Sequence, residues 1–268
     1  HHEQASAMAA ECYARVHGRI AVVCVTSGPG ALNALNGVVG AYQDSIPMLV
    51  ISGQAKRDLC IHGCGGKIRS IGGQEVDIVP AVQQNMTKYA VMVMEPERIR
   101  YELEKALYLA REGRPGPSWL DIPLDVQGGG IETDALEGFE PPAPSAQINL
   151  PQIARGLLAR LRAAERPVLY AGNGIRWSGG MELFRRLCSA LDIPVVTCWD
   201  SVDLIATDDA HYCGRGGNMG DRAGNFAVQN SDFLLCIGAR MSIYQVGWNT
   251  ATWARALPLP RREGRRRH

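Results

Sequence analysis

Residues 2–33 read HEQASAMAAECYARVHGRIAVVCVTSGPGALN, and the order of pieces within them decides the fold. One carboxylate, Glu3, opens a run of small residues in which Ala5, Met8, Ala9, Cys12 and Val16 recur at helical spacing. That spacing predicts a helix over 3–17 with this stripe turned inward, and the abundance of alanine predicts close approach to another surface. Ile20 to Thr26 is an unbroken apolar run of strand length, as expected of a strand covered on both faces of a parallel sheet. Ser27-Gly28-Pro29-Gly30 interrupts it, and a second helix of small residues runs on to about Tyr42. Glycines let backbone approach a ligand closely, and this turn lies at the carboxyl end of a strand, where open α/β sheets bind ligands. The arrangement suits a flat heteroaromatic group with one acid set against it.

Working outward, further strands are expected at Met48–Ser52, Tyr89–Met94 and Trp119–Ile122. Pro96 opens a helix carrying Ile99, Leu103, Ala106, Leu107 and Ala110 on one face, with Gly113 near its end. Strands alternating with helices imply α/β architecture with a doubly wound parallel sheet over residues 1–127. Residues 128–150 lose periodicity; Gly128-Gly129-Gly130 and Pro141-Pro142-Ala143-Pro144 mark a linker, extended in part by its prolines. A second, Rossmann-like parallel-sheet domain is expected over 151–257. Its first helix, near 152–164, should bury Ile153, Leu157, Leu158 and Leu161. Three strands follow, Val168–Ala171, Val195–Cys198 and Phe233–Ile237, with a helix at Met181–Leu191. Residues 258–268, with five arginines between 261 and 267, read as a disordered basic tail. The start without Met, at the mouth of a helix, and the short second domain both suggest a piece of a longer chain.

Bulk properties fit a globular protein with a real core: 46% hydrophobic and 21% charged residues over 268 positions. A net charge of +1 gives no reason to expect nucleic acid, and no apolar run is long enough to span a membrane. Eight cysteines are scattered. Cys12, Cys24, Cys188 and Cys236 lie in helical or apolar patterns and are expected to be small buried hydrophobes in a reducing, cytoplasmic compartment. Cys60, His62 and Cys64 form the one cluster; without a second ligand pair at zinc spacing they read as a glycine-rich loop, and no metal ligands are assigned.

These motifs together resemble the pyrimidine-binding part of thiamine-diphosphate (ThDP) enzymes, and most closely the acetolactate synthase large-subunit group. His2-Glu3-Gln4, TSGPGALN, Asp44-Ser45-Ile46-Pro47-Met48, Ser52-Gly53-Gln54, Thr87-Lys88, Gly113-Arg114-Pro115-Gly116-Pro117 and Asp121-Ile122-Pro123-Leu124-Asp125-Val126-Gln127 carry the match. The group usually has Phe in place of Gly73 and Lys in place of Leu124. These differences touch the particular reaction rather than the fold.

The resemblance implies that Glu3 is the catalytic acid, hydrogen-bonded to ring N1′ of the aminopyrimidine, with a carboxyl pKa raised by desolvation. It implies that Pro29, Gly30 and Asn33 lie near that ring, that Gln54 lines the site, and that Gln74 approaches substrate. Gly172, Gly174, Arg240 and Arg114 are the positions matching an FAD site in the group. A complete enzyme of this kind has a third domain holding Mg²⁺ and the diphosphate; no counterpart of it is found here, so the chain is expected to be inactive alone. Implied substrates are 2-oxo acids, with a homo-oligomer and a regulatory subunit as partners. Alternatives are another ThDP decarboxylase or acetyltransferase, and a non-catalytic nucleotide-binding module built on the Gly172–Gly174 turn. Gly220-Asp221-Arg222-Ala223-Gly224-Asn225 superficially suggests the group's metal motif, but its spacing is wrong for it, and its position before Phe233 predicts a short helix instead.

Overall fold

A computed structural model describes residues 2–65, 67–72, 75–143 and 148–257. The chain forms two compact units dividing between Pro144 and Ser145. The expected basic tail at 258–268 and Gln74 lie outside the described residues.

The first unit runs α1 (Glu3–His17), β1 (Ala21–Val25), α2 (Pro29–Asn33), α3 (Leu35–Asp44), β2 (Met48–Gln54), α4 (Ile78–Gln83), β3 (Tyr89–Met92), α5 (Ile99–Arg111), β4 (Pro117–Pro123) and α6 (Leu124–Gln127). Its four strands are parallel in the order β1-β2-β4-β3. Leu49 and Leu120 turn one face toward α5, where Ala106 is buried and Leu103 and Leu107 pack alongside, as the helical spacing predicts. Because β1 is an edge strand, its pattern alternates instead of being buried throughout: Ala21 and Val23 are covered while Val22 and Cys24 are exposed.

The inward face of α1 differs from the expected one. Ala7, Ala10 and Ala14 are buried, whereas Ala5, Met8, Ala9, Cys12 and Val16 are exposed. The reason is the neighbouring helix. A Cβ on Gly37 of α3 would come within 2.7 Å of Ala7 Cβ, so the two helices meet at a distance that only the alanine stripe permits. The larger apolar side chains are thereby left outside.

Residues 128–143 belong to the first unit. Phe139 packs between Tyr101 and Tyr108 of α5, its backbone N–H donates to Glu104, and Arg98 pairs with Glu137.

The second unit runs α7 (Leu150–Ala163), β5 (Pro167–Ala171), α8 (Gly174–Trp177), α9 (Met181–Leu191), β6 (Val195–Thr197), β7 (Tyr212–Arg215), α10 (Arg222–Asn230), β8 (Phe233–Ile237) and α11 (Ile243–Val246). Its sheet is also parallel, ordered β7-β6-β5-β8. Phe184 and Cys188 of α9 cover Leu169 and Val195 on one face. Val228 of α10 covers Tyr170 and Val196 on the other. β7 is an addition to the three expected strands; four half-buried residues, YCGR, give too little apolar signal to announce it. The expected burial of α7 also fails. None of its residues is buried, and Ile153, Leu157 and Leu158 are exposed. Cys236, on edge strand β8, is exposed as well, while Cys188 is buried as expected.

Candidate functional site

The carboxyl edge of the first sheet opens into a groove of about 850 Å³. Glu3 and Ser6 of α1, Val25 at the end of β1, Ser52 and Gln54 of β2, and Leu124 after β4 line it. Three local features place Glu3 there. His2 caps α1 by accepting from the Gln4 N–H, which starts the helix one residue before the carboxylate. Gly28 turns the chain at φ 57°, a conformation natural to glycine, so that Pro29 can begin α2 at the end of β1. Gly30 then sits against the acid: a Cβ there would lie 2.6 Å from Thr26 Cγ2 and 3.4 Å from Glu3 Oε1.

Asn33, one turn further along α2, donates from Nδ2 to Glu3 Oε2 at 3.1 Å. The Glu3 backbone N–H and this bond lower the carboxyl pKa, and burial, which pushes it up, does not overturn them. The direction is opposite to the expected one. The carboxylate is half-exposed and has donors of its own, so desolvation does not dominate.

Gln54 does line the groove, but its amide is fully engaged. Nε2 donates to Val76 O (2.9 Å) and to Asp121 Oδ2 (3.0 Å), while Oε1 accepts the Ala55 N–H (2.9 Å). Asp121, at the head of the Asp121–Gln127 motif, is completely buried. Burial pushes its pKa up to about 6 against the pull of bonds from Ser52 and Gln54. An aspartate in the middle of the apolar strand SWLDIP was the available signal.

The other expected residues do not join this group. Arg114 precedes β4, at the amino edge of the sheet, where its guanidinium donates to Ser45 Oγ (2.7 Å), the residue that caps α3, and to Gln43 O (3.1 Å) in the last turn of α3. Gly172 and Gly174 follow β5 at the carboxyl edge of the second sheet, beside the Gly238–Arg240 turn after β8. A Cβ on Gly172 would lie 2.4 Å from Gly238 O, and the Gly174 N–H donates to that same carbonyl. Backbone therefore fills the space that these glycines open. Arg240 is exposed on this turn. The Gly220–Asn225 segment is a structural lock. Asp221 binds Arg215 through both guanidinium and backbone N–H, and Asn225 bridges the Gly217 N–H and carbonyl, opening α10 as expected.

Around the cysteine cluster, Cys60 Sγ donates to Arg57 O and His62 lies 3.5 Å from Asp77. Among the described residues no three His, Cys, Asp or Glu side chains come together to hold a metal ion.

A sequence match defines the class. Residues 1–80 match the family described as "Thiamine pyrophosphate enzyme, N-terminal TPP binding domain", and residues 154–258 match "Thiamine pyrophosphate enzyme, central domain". The two matches together span more than half of the chain, which belongs to the thiamine pyrophosphate enzyme family.

Within it, the chain is similar to acetolactate synthase large subunits. It is 36% identical to that of Lactococcus lactis subsp. lactis (strain IL1403) over 252 residues, covering 89% of this chain and 40% of the relative. It is 34% identical to the probable large subunit of Methanocaldococcus jannaschii over 249 residues, covering 90% and 40%. Against the isozyme 2 large subunit of Escherichia coli (strain K12) the identity is 35% over 245 residues, covering 89% and 41%. The chain thus spans about two fifths of the length of these relatives.

Proposed function

We propose that this chain is the pyrimidine-binding and central part of an acetolactate synthase-like transferase. The reaction decarboxylates pyruvate and joins the remaining two-carbon unit to the carbonyl carbon of a second 2-oxo acid. The observation that carries the reading is the Glu3 carboxylate, held by Asn33 beside a glycine with no Cβ, at the carboxyl edge of a parallel sheet. The residues fit an aminopyrimidine: Val25, Ile51, Ile122 and Leu124 give the groove apolar walls, and Glu3 is an acid set among them. When bound, ThDP supplies the nucleophilic carbon and the electron sink that decarboxylation of a 2-oxo acid needs.

The chain's own contribution is position and proton control. Gly30 leaves room beside the acid, and Asn33 fixes the carboxylate's direction. Glu3 would hold a proton at ring N1′. Covering the groove with a ring strips water from the carboxylate and reverses the present downward pull on its pKa.

No cluster among the described residues fits Mg²⁺, so no step is drawn through it. The FAD positions give no support for a flavin: Gly172 and Gly174 are closed by backbone, and Arg114 is bound to Ser45 and Gln43 at the amino edge of the first sheet. The proposed setting is a cytoplasmic homo-oligomer served by a regulatory subunit. Exposed Met8, Tyr13 and Val16 on α1 are consistent with a protein neighbour, and no described helix is long and apolar enough to cross a membrane.

The test is a chimera in which this chain replaces the matching part of the L. lactis large subunit. Glu3→Gln should lower kcat for acetolactate formation about 100-fold or more, the range of a lost general acid–base group. An amide variant working at full speed would remove the reading. The 268-residue chain by itself should form no acetolactate from pyruvate; measurable product would refute the inactivity assigned to it.

A further inference from the structure

Beneath the groove lies a carboxylate that the reading above leaves unused. Asp121 of β4 stands in register with Ser52 of β2 and is 0% exposed. Its Oδ1 accepts the Ser52 hydroxyl at 2.5 Å, and Trp119 Nε1 donates to that same hydroxyl oxygen at 2.8 Å, which directs its proton at the carboxylate. Among the described residues no cationic group lies within ion-pairing distance of Asp121. A buried carboxylate held by neutral donors is costly unless each of its oxygens has a partner.

What the charge does is visible in Gln54. An ionised carboxylate accepts and cannot donate. It therefore obliges Gln54 to present its NH₂ group, because the flipped amide would set oxygen against oxygen. With Nε2 facing Asp121, the second N–H reaches the Val76 carbonyl and Oε1 is left for the Ala55 N–H. One acid thus orients an amide that ties the end of β2 to a separate stretch of chain. That stretch is itself braced. Glu75 accepts from the Ile71 and Gly72 N–H groups, and these with its own N–H hold its pKa near 2 even though burial, the largest single influence, pushes upward.

We propose that Asp121 is a positioning residue for the Glu3 groove: through Gln54 it pins residues 75–77 to the carboxyl ends of β2 and β4. The use assigned to this pin rests on the groove being the ligand site; the pin itself does not.

The test uses the whole chain without cofactor, so its outcome is independent of ThDP binding. Lys67 and Arg69 are exposed in the stretch leading to residues 75–77 and are trypsin sites. Asp121→Ala and Gln54→Ala should each speed cleavage at Lys67 and Arg69, and amide exchange at Ala55, about tenfold, the scale of one lost hydrogen bond to a charged group. The double variant should do no more than either single one. Asp121→Asn, which can turn its oxygen to Gln54, should stay within about threefold of the parent. Unchanged amide exchange in β1 and β3, the two outer strands of the same sheet, identifies variants whose first unit still folds; for one that does not, Gln54→Ala alone carries the test. Unchanged cleavage in Gln54→Ala, or Asp121→Asn as open as Asp121→Ala, overturns the proposal.

Discussion

Both units end a four-stranded parallel sheet in glycine turns, yet the glycine of the first turn faces side chains, a carboxylate among them, and those of the second face backbone. In the first, Gly30 faces the end of a side chain, Thr26 Cγ2, and beyond it the Glu3 carboxylate. In the second, Gly172 and Gly174 face the backbone of Gly238 and Ala239. Topology places a crevice at the carboxyl edge in both cases. Whether it is available to a ligand depends on what lies opposite the missing Cβ. A glycine opposite a side-chain tip leaves adjustable space, while a glycine opposite backbone marks a junction already filled.

The sharpest way to break this contrast is to add the missing carbon on each side. Gly172→Ala would force a Cβ to within 2.4 Å of a carbonyl oxygen that cannot move without displacing β8. The expected cost is about 3 kcal/mol, confined to the second unit. Gly30→Ala, meeting a methyl group that can rotate away, should cost about 1 kcal/mol. Denaturant unfolding followed by amide exchange in β5 and β1 would show both. Equal costs would mean that the two turns do not differ in kind.

A second prediction sharpens the account of the first unit's buried acid. The Asp121 pKa is raised from 3.8 to about 6, so the folded state binds a proton more readily than the unfolded one. Its ionisation therefore weighs against folding above pH 6, and stability from this group rises as pH falls from about 6 toward 4. The linkage amounts to about 3 kcal/mol. Glu3, Glu75 and Asp125 run the other way: their depressed values give stability that is present above their unfolded pKa and lost as pH falls below about 4. The two windows scarcely overlap. Asp121→Asn should flatten the stability profile between pH 4 and 7 and leave the acid limb unchanged. A parent protein already flat across that interval would place the Asp121 pKa near its ordinary value.

The same comparison shows how far residue order alone can go. The alternation of strands and helices and the parallel sheets are legible in local patterns, β7 excepted, and the resemblance carried by TSGPGALN sets Glu3 and Asn33 near one ligand. The direction of the Glu3 pKa is not, since it depends on the Glu3 backbone N–H at the helix start and on an amide thirty residues away. The buried face of α1 was misread for a related reason: hydrophobicity favoured Met8 and Val16, whereas close packing on Gly37 selects the smallest side chains. Arg114 shows a third limit. Its motif was recognisable, but the guanidinium serves the end of α3 at the far edge of the sheet. Asp121 was plain within an apolar strand, but its meaning needed Gln54 and Val76, both distant in sequence.

The smallest expected effect concerns two helices with the same apolar periodicity. Leu103 and Leu107 of α5 pack onto the Leu49 and Leu120 core, whereas Leu157 and Leu158 of α7 stay exposed. Helical apolar spacing therefore has two outcomes, decided by whether a sheet face lies opposite. Leu158→Glu should change the stability of the second unit by less than about 0.5 kcal/mol, as surface substitutions do. Leu107→Glu, which sets a charge against the first unit's core, should cost about 3 kcal/mol. Chemical unfolding at low protein concentration separates the two. A loss of 2 kcal/mol or more for Leu158→Glu would mean that the α7 stripe is covered in solution by something beyond the residues described, and that periodicity alone had read this helix correctly.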